Sequence, residues 1–223
     1  MRGSAHLTHQ DAAARVGGLW SALDAVPVIG IVRGCPSTRL LAVAGSAFAA
    51  GLMVLELTLD SPDALEGIAA LRREFPERVV GAGTVRTAEE AAAAIDAGAE
   101  FVVSPVTNPV VLEACRSANT PSLPGAATPS EILSAIELGA FAVKVFPVRQ
   151  LGGPSFIAAL SAPLGHPRLV PTGGVDAGNA AAFLEAGAYA VAVGSGVFSP
   201  RAMEEGDLVK IASGVEQTLE AVA

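Results

Sequence analysis

The sequence predicts an α/β fold: a single (β/α)8 TIM barrel spanning residues 1–223, with an extra helix at its N-terminal end. Three observations carry this expectation. Short apolar runs alternate with Ala-rich segments along the whole chain. The alternation yields eight strand–helix units, an even count that suits a closed barrel better than an open doubly wound sheet. The phrase helix–Ala-Gly-Ala–strand returns at Ala97-Gly98-Ala99 and Ala186-Gly187-Ala188, with Leu138-Gly139-Ala140 as a variant. One unit is therefore repeated, rather than two domains joined.

The elements follow in order. Residues 1–10 are expected to form a flexible tail, and Asp11–Ala25 a leading helix that covers one end of the barrel. Strands are expected at Val26–Arg33, Leu52–Leu59, Arg78–Val85 and Phe101–Pro105, then at Pro121–Ala127, Ala140–Pro147, Arg168–Val175 and Ala188–Val197. The helices between them carry start and stop signals. Thr87 precedes Glu89 and Glu90. Thr128-Pro129-Ser130-Glu131 supplies a cap, an early proline and an early acid. The helical stretches end in glycine before the next strand.

Bulk composition narrows the function. Of 223 residues 51% are apolar, enough for a large core. The net charge of −8 argues against nucleic-acid and membrane partners, but leaves room for a small anionic substrate at a local site. No apolar run approaches the ~18 residues of a membrane span, and the first residues lack the apolar centre of a secretion signal. Two cysteines without CxxC spacing fit a reducing cytoplasm. Of three histidines, His6 and His9 lie in the expected tail, leaving His166 in a loop. A His-rich metal site or a Ser-His-Asp triad has little to build from.

Against this background one residue is out of place. The chain has only two lysines. Lys210 sits in a helical tail segment where solvent can meet it. Lys144 stands inside "AFAVKVFP", an apolar strand. An ammonium group that leaves water pays several kcal/mol, and burial favours the neutral amine, which is a nucleophile. Strand alternation places Ala142, Lys144 and Phe146 on the inner face of their strand, and Val54, Glu56 and Thr58 on the inner face of the second. Glu56 would then meet Lys144 in the lumen. A purely structural ion pair is the plain alternative, but buried pairs are poor stabilisers compared with apolar replacements, so catalysis is the better reading.

The strand ends add polar groups at the same mouth. Arg33 ends the first strand and Thr84 the third; together they suit a carboxylate. "PTGGV" and "VGSGVF" end the last two strands, and Gly173, Gly174, Gly194 and Ser195 there suit a phosphate held by backbone N–H groups. Taken singly, these could be a solvated arginine, an ordinary strand threonine and simple turn glycines. "GAGTVR" lacks the third glycine of a dinucleotide fingerprint. Cys35, with no histidine near it in sequence, reads as an ordinary thiol.

The segments "VLELTL", "GAGTV", "VSP", "LPG", "KVFP", "PTGGV" and "GSG" occur here in the order and spacing of the 2-keto-3-deoxy-6-phosphogluconate (KDPG) aldolases. This family also includes 4-hydroxy-2-oxoglutarate (KHG) aldolase activity. The chain resembles it from about Val26 to Val197. The resemblance implies a class I, Schiff-base aldolase that needs no metal or cofactor and cleaves KDPG to pyruvate and glyceraldehyde 3-phosphate. 4-Hydroxy-2-oxoglutarate and the 6-phosphogalactonate epimer are further substrates within its range. It implies Lys144 as the Schiff-base lysine, Glu56 as the acid/base group, Thr84 and Thr172 as contacts of the bound keto acid, and "PTGG" and "GSG" as phosphate-side loops. It also implies a homotrimer. One position departs: where a branch of the family carries a carboxylate-binding arginine after "LTL", this chain has Asp60, and Arg33 is expected to take that task. Two rival readings remain at this point. One is a non-covalent phosphosugar isomerase or synthase, the other a sugar-phosphate-binding protein; neither needs both Glu56 and Lys144.

Overall fold

The computed structural model describes residues 9–223, with side chains described from Gly17 onward. Most of the expected tail, residues 1–8, lies outside the described residues. A first helix, α1 (His9–Ala25), precedes eight parallel staves. These are β1 (Val28–Val32), β2 (Val54–Thr58), β3 (Val79–Gly83), β4 (Val102–Val103), the pair β5 (Ser122–Leu123) and β6 (Gly125–Ala126), β7 (Val143–Val145), β8 (Leu169–Pro171) and β9 (Val191–Val193). The strands are shorter than the apolar runs that announced them, because the outer residues of each run turn into loops.

The hydrogen-bonded order is β5-β4-β3-β2-β1-β9 on one side and β6-β7-β8 on the other. Two joints close the ring. Thr172 bridges to Ala192, linking β8 to β9. The fifth stave is a single run of chain that changes partner: Ser122 and Leu123 pair with β4, Gly125 and Ala126 with β7. Pro124 stands at the change-over, where its missing N–H removes a rung from the ladder.

Two apolar layers result. Leu55 and Leu57 of β2, with Val143 and Val145 of β7, belong to the outer layer that meets the helices. Ile29, Val54, Val79, Phe101, Val103, Leu123, Ala142 and Val170 fill the lumen. The period-2 alternation expected for β2 and β7 is therefore the one observed. Helix α1 closes the N-terminal mouth by adding Leu19, Ala22 and Leu23 to the lumen cluster. Arg168 lies between the rings of Trp20 and Phe141, 4.6 Å from each centroid, which ties this plug to the barrel rim.

The surrounding helices begin where the sequence marked them. Thr87 accepts from the Glu90 N–H at the start of the helix Ala88–Asp96, and Thr128 with Glu131 forms a complete capping box on the helix Pro129–Glu137. Beyond the helix ends, Gly98, Gly139 and Gly187 all have positive φ, the conformation that lets each repeat turn back into a strand. Among the described residues no helix is long and apolar enough to cross a membrane.

Lumen packing depends on small residues opposite large ones. A Cβ on Gly81 would come within 2.5 Å of the Phe101 ring, which is fully buried and cannot retreat. Gly81→Ala is expected to destabilise the barrel by about 1–3 kcal/mol. Urea unfolding measures this; an unchanged midpoint would contradict the packing described.

Candidate active site

Lys144 and Glu56 sit one layer above the apolar filling of the lumen. Val54 and Ala142 belong to that filling, and the next inward positions, two residues or ~6.6 Å further along each strand, are Glu56 and Lys144. Lys144 Nζ lies 3.8 Å from Glu56 Oε1, and the two side chains are 8% and 2% exposed. At that distance they attract without a tight hydrogen bond. Glu56 Oε1 has no hydrogen-bond partner in the protein among the described residues. A buried carboxylate oxygen is rarely left so. It is free to receive a proton from something else.

β3 makes room for the carboxylate. A Cβ on Gly83 would fall 1.8 Å from Glu56 Oε1, so only glycine permits this position. The next residue, Thr84, has φ +61°, a conformation that a β-branched residue adopts only under strain. Its hydroxyl accepts a hydrogen bond of 2.9 Å from Arg33 Nη2, while Arg33 Nη1 donates to Asp60 Oδ2. Both partners of the Arg33–Asp60 pair are about half exposed, and such pairs add little stability. The effect is orientation. Two of the guanidinium group's donors are fixed, and the others remain available at the mouth. Ser61 ties the same two loops together, accepting from the Gly34 N–H at 2.8 Å and lying 3.1 Å from the Thr58 hydroxyl.

On the other side of the lysine the groups continue in sequence. Lys144 Nζ lies 5.7 Å from the centre of the Phe146 ring, which stands just past the end of β7. A Cβ on Gly173 would touch that ring at 3.3 Å. Gly173 and Gly174 both have positive φ, and among the described residues the Gly174 N–H donates to no protein acceptor. After β9 the chain turns tightly, Val197 and Phe198 both donating to the Gly194 carbonyl, and among the described residues the N–H groups of Ser195 and Gly196 donate to no protein acceptor. Thr172 is buried beneath, its hydroxyl donating to the Val170 carbonyl at 3.1 Å.

One cavity of about 900 Å³ opens at the C-terminal ends of the strands. Arg33, Thr84, Lys144, Thr172, Gly173, Gly174, Gly194 and Ser195 line it; Glu56 stands directly behind Lys144 and does not reach its wall. The sequence thus named residues that the fold brings together. It missed Gly83, Phe146, Arg149 and the Asp60 partner of Arg33. Gly83 is the one with a signal, being the second glycine of "GAG" on a strand beside the glutamate.

Other candidate nucleophiles fall away. Burial pushes the thiols of Cys35 and Cys115 up to about 11. His166 pairs with Ser161 through Nδ1 at 2.9 Å and does not line the cavity.

Comparison with known proteins follows the same line. The family model for KDPG and KHG aldolase matches residues 20–213. The 2-dehydro-3-deoxy-phosphogluconate aldolase of Treponema pallidum is 36% identical over 204 residues, 92% of this chain and 97% of that protein. The KHG/KDPG aldolase of Escherichia coli K12 is 31% identical over 200 residues, covering 90% and 94% of the two chains. A crystal structure of KDPG aldolase from Legionella pneumophila, with pyruvate captured at low pH as a covalent carbinolamine intermediate, superposes with a TM-score of 0.81. It is 28% identical, with 89% of this chain and 97% of that one covered.

The thiol geometry can be checked directly. In the folded protein at pH 8, neither cysteine is expected to react with a thiol reagent over minutes, and both should react after unfolding in guanidinium. Rapid labelling of a native thiol would contradict the burial described.

Proposed function

The chain belongs to the KDPG and KHG aldolase family and is an aldehyde-lyase; we propose that it works through a Schiff base on Lys144, cleaving KDPG to pyruvate and glyceraldehyde 3-phosphate. The observation that carries the assignment is the placement of one amine. Lys144 Nζ is nearly buried beside a carboxylate with an unused oxygen, and it opens onto a cavity with cationic and N–H donors on either side.

The chemistry follows from that placement. The Lys144 amine attacks the ketone carbon and gives a carbinolamine, which loses water to become an iminium. Glu56 receives the proton of the substrate's 4-hydroxyl. The bond between C3 and C4 then breaks; its electron pair passes into the enamine, and the aldehyde leaves. Protonation of C3 by Glu56 restores an iminium, and water releases pyruvate and the free lysine. A positioned acid/base group of this kind is worth about 10²–10⁴ in rate. Arg33, with Thr84, takes the carboxylate end of the keto acid. Gly173, Gly174, Gly194 and Ser195 take the phosphate. Thr172 borders the substrate chain between them. Asp60 positions Arg33 and does not itself bind the carboxylate. 4-Hydroxy-2-oxoglutarate and the 6-phosphogalactonate epimer carry the same reacting atoms and fall within the reach of the same lysine.

The rival non-covalent readings, an isomerase or synthase and a sugar-phosphate-binding protein, leave the Lys144–Glu56 pair without a task. The working form is a homotrimer in the cytoplasm. Supporting the trimer, Val110 at the start of the helix Pro109–Ser117 and Leu133 and Ile136 on the helix Pro129–Glu137 expose apolar side chains on consecutive helices. Supporting a reducing compartment, Cys35 and Cys115 are free thiols.

Two substitutions test the roles. Lys144→Arg should abolish pyruvate release from KDPG, because a guanidinium cannot form the imine; normal turnover would refute the covalent route. Glu56→Gln should lower kcat by about 10²–10⁴ without unfolding the protein, and a wild-type kcat would remove Glu56 from the mechanism.

A further inference from the structure

Three cations line the cavity, and two are already matched. Arg33 pairs with Asp60 and Lys144 with Glu56. The third, Arg149, forms no ion pair among the described residues. Its backbone is stitched to the loop after β8: the Val148 N–H donates to the Thr172 carbonyl at 2.9 Å, and the Arg149 N–H to that of Gly173 at 3.2 Å. Its stem runs across Gly174, where a Cβ would stand 2.8 Å from Arg149 Cδ. A fixed backbone and a packed stem therefore hold Arg149 against the glycine loop at Gly174, whose N–H has no protein acceptor among the described residues. The charged group of opposite sign at this end of the cavity is Asp176, whose Oδ1 accepts from the Gly178 N–H in its own turn.

From this arrangement we infer that Arg149 is the side-chain cation of the terminal-anion subsite and a determinant of preference for phosphorylated over unphosphorylated keto acids. The inference rests on the reading of the glycine loops as the phosphate end. Backbone N–H groups alone supply dipoles to a phosphate monoester; a guanidinium adds a full charge and a planar pair of donors matched to two phosphate oxygens. The cavity then has a cation at each end with the imine-forming lysine between them. KDPG, with a phosphate monoester at the far end of its chain, spans both, whereas 4-hydroxy-2-oxoglutarate has as its second anion a singly charged carboxylate on a shorter chain.

The test compares kcat/KM for KDPG and for 4-hydroxy-2-oxoglutarate in the wild type, Arg149→Ala and Arg149→Lys, with inorganic phosphate as a competing anion. The wild type should prefer KDPG and be inhibited competitively by phosphate. Arg149→Ala should lower the preference ratio at least about tenfold and weaken inhibition by phosphate in parallel; Arg149→Lys should recover part of both. Thermal unfolding of each variant separates these effects from loss of fold. An unchanged ratio in Arg149→Ala, with the wild type still preferring KDPG, would overturn the role of Arg149 and leave the phosphate loops standing. No preference and no phosphate inhibition in the wild type would overturn both.

Discussion

A lysine and a glutamate held 3.8 Å apart inside a barrel of parallel strands set the terms for the rest of the molecule. Removing two charges from water costs several kcal/mol for each, and their mutual attraction does not reliably return it. The fold must hold the pair dry from below and open from above. Helix α1 and the apolar lumen provide the first, and the cavity at the strand ends provides the second. Gly83 is part of the same constraint, since its missing side chain is the space that the Glu56 carboxylate occupies.

The site reads as a line of chemistry across the mouth. Thr84 follows Gly83 directly, so the strand that makes room for Glu56 also presents the hydroxyl that accepts from Arg33. Phe146 lies two residues beyond Lys144 and reaches the glycine loop after β8. From one side to the other the mouth thus presents a cation, then an amine with its carboxylate neighbour, then an aromatic wall, then the glycine loop that the Arg149 stem crosses. Each station is fixed to its neighbour by a strand or by a contact between loops. Precision of this kind is what positioned proton transfer and imine formation require.

Much of this was legible in the sequence, and the physical reason is periodicity. Alternation along β2 and β7 put Glu56 and Lys144 indoors without any knowledge of the partner strand. Helix caps such as Thr87 and Thr128, and the glycines that end each repeat, are local signals and appeared where expected. What was not legible depends on groups far apart in the chain. Asp60 and Arg33 meet across 27 residues of sequence. The need for glycine at position 83 follows from the register of β2 against β3, and the path of Arg149 over Gly174 from the meeting of two loops. The fifth stave looked continuous, but its partner changes at Pro124, because one half pairs with β4 and the other with β7.

The most direct measurement is borohydride reduction in the presence of pyruvate, followed by peptide mass spectrometry. A reduced pyruvate adduct is expected on the peptide containing Lys144, and none when borohydride is omitted. Well-folded protein that yields no adduct at saturating pyruvate, or an adduct on Lys210 alone, would contradict the covalent role of Lys144 and leave its pairing with Glu56 to be explained by binding or by structure.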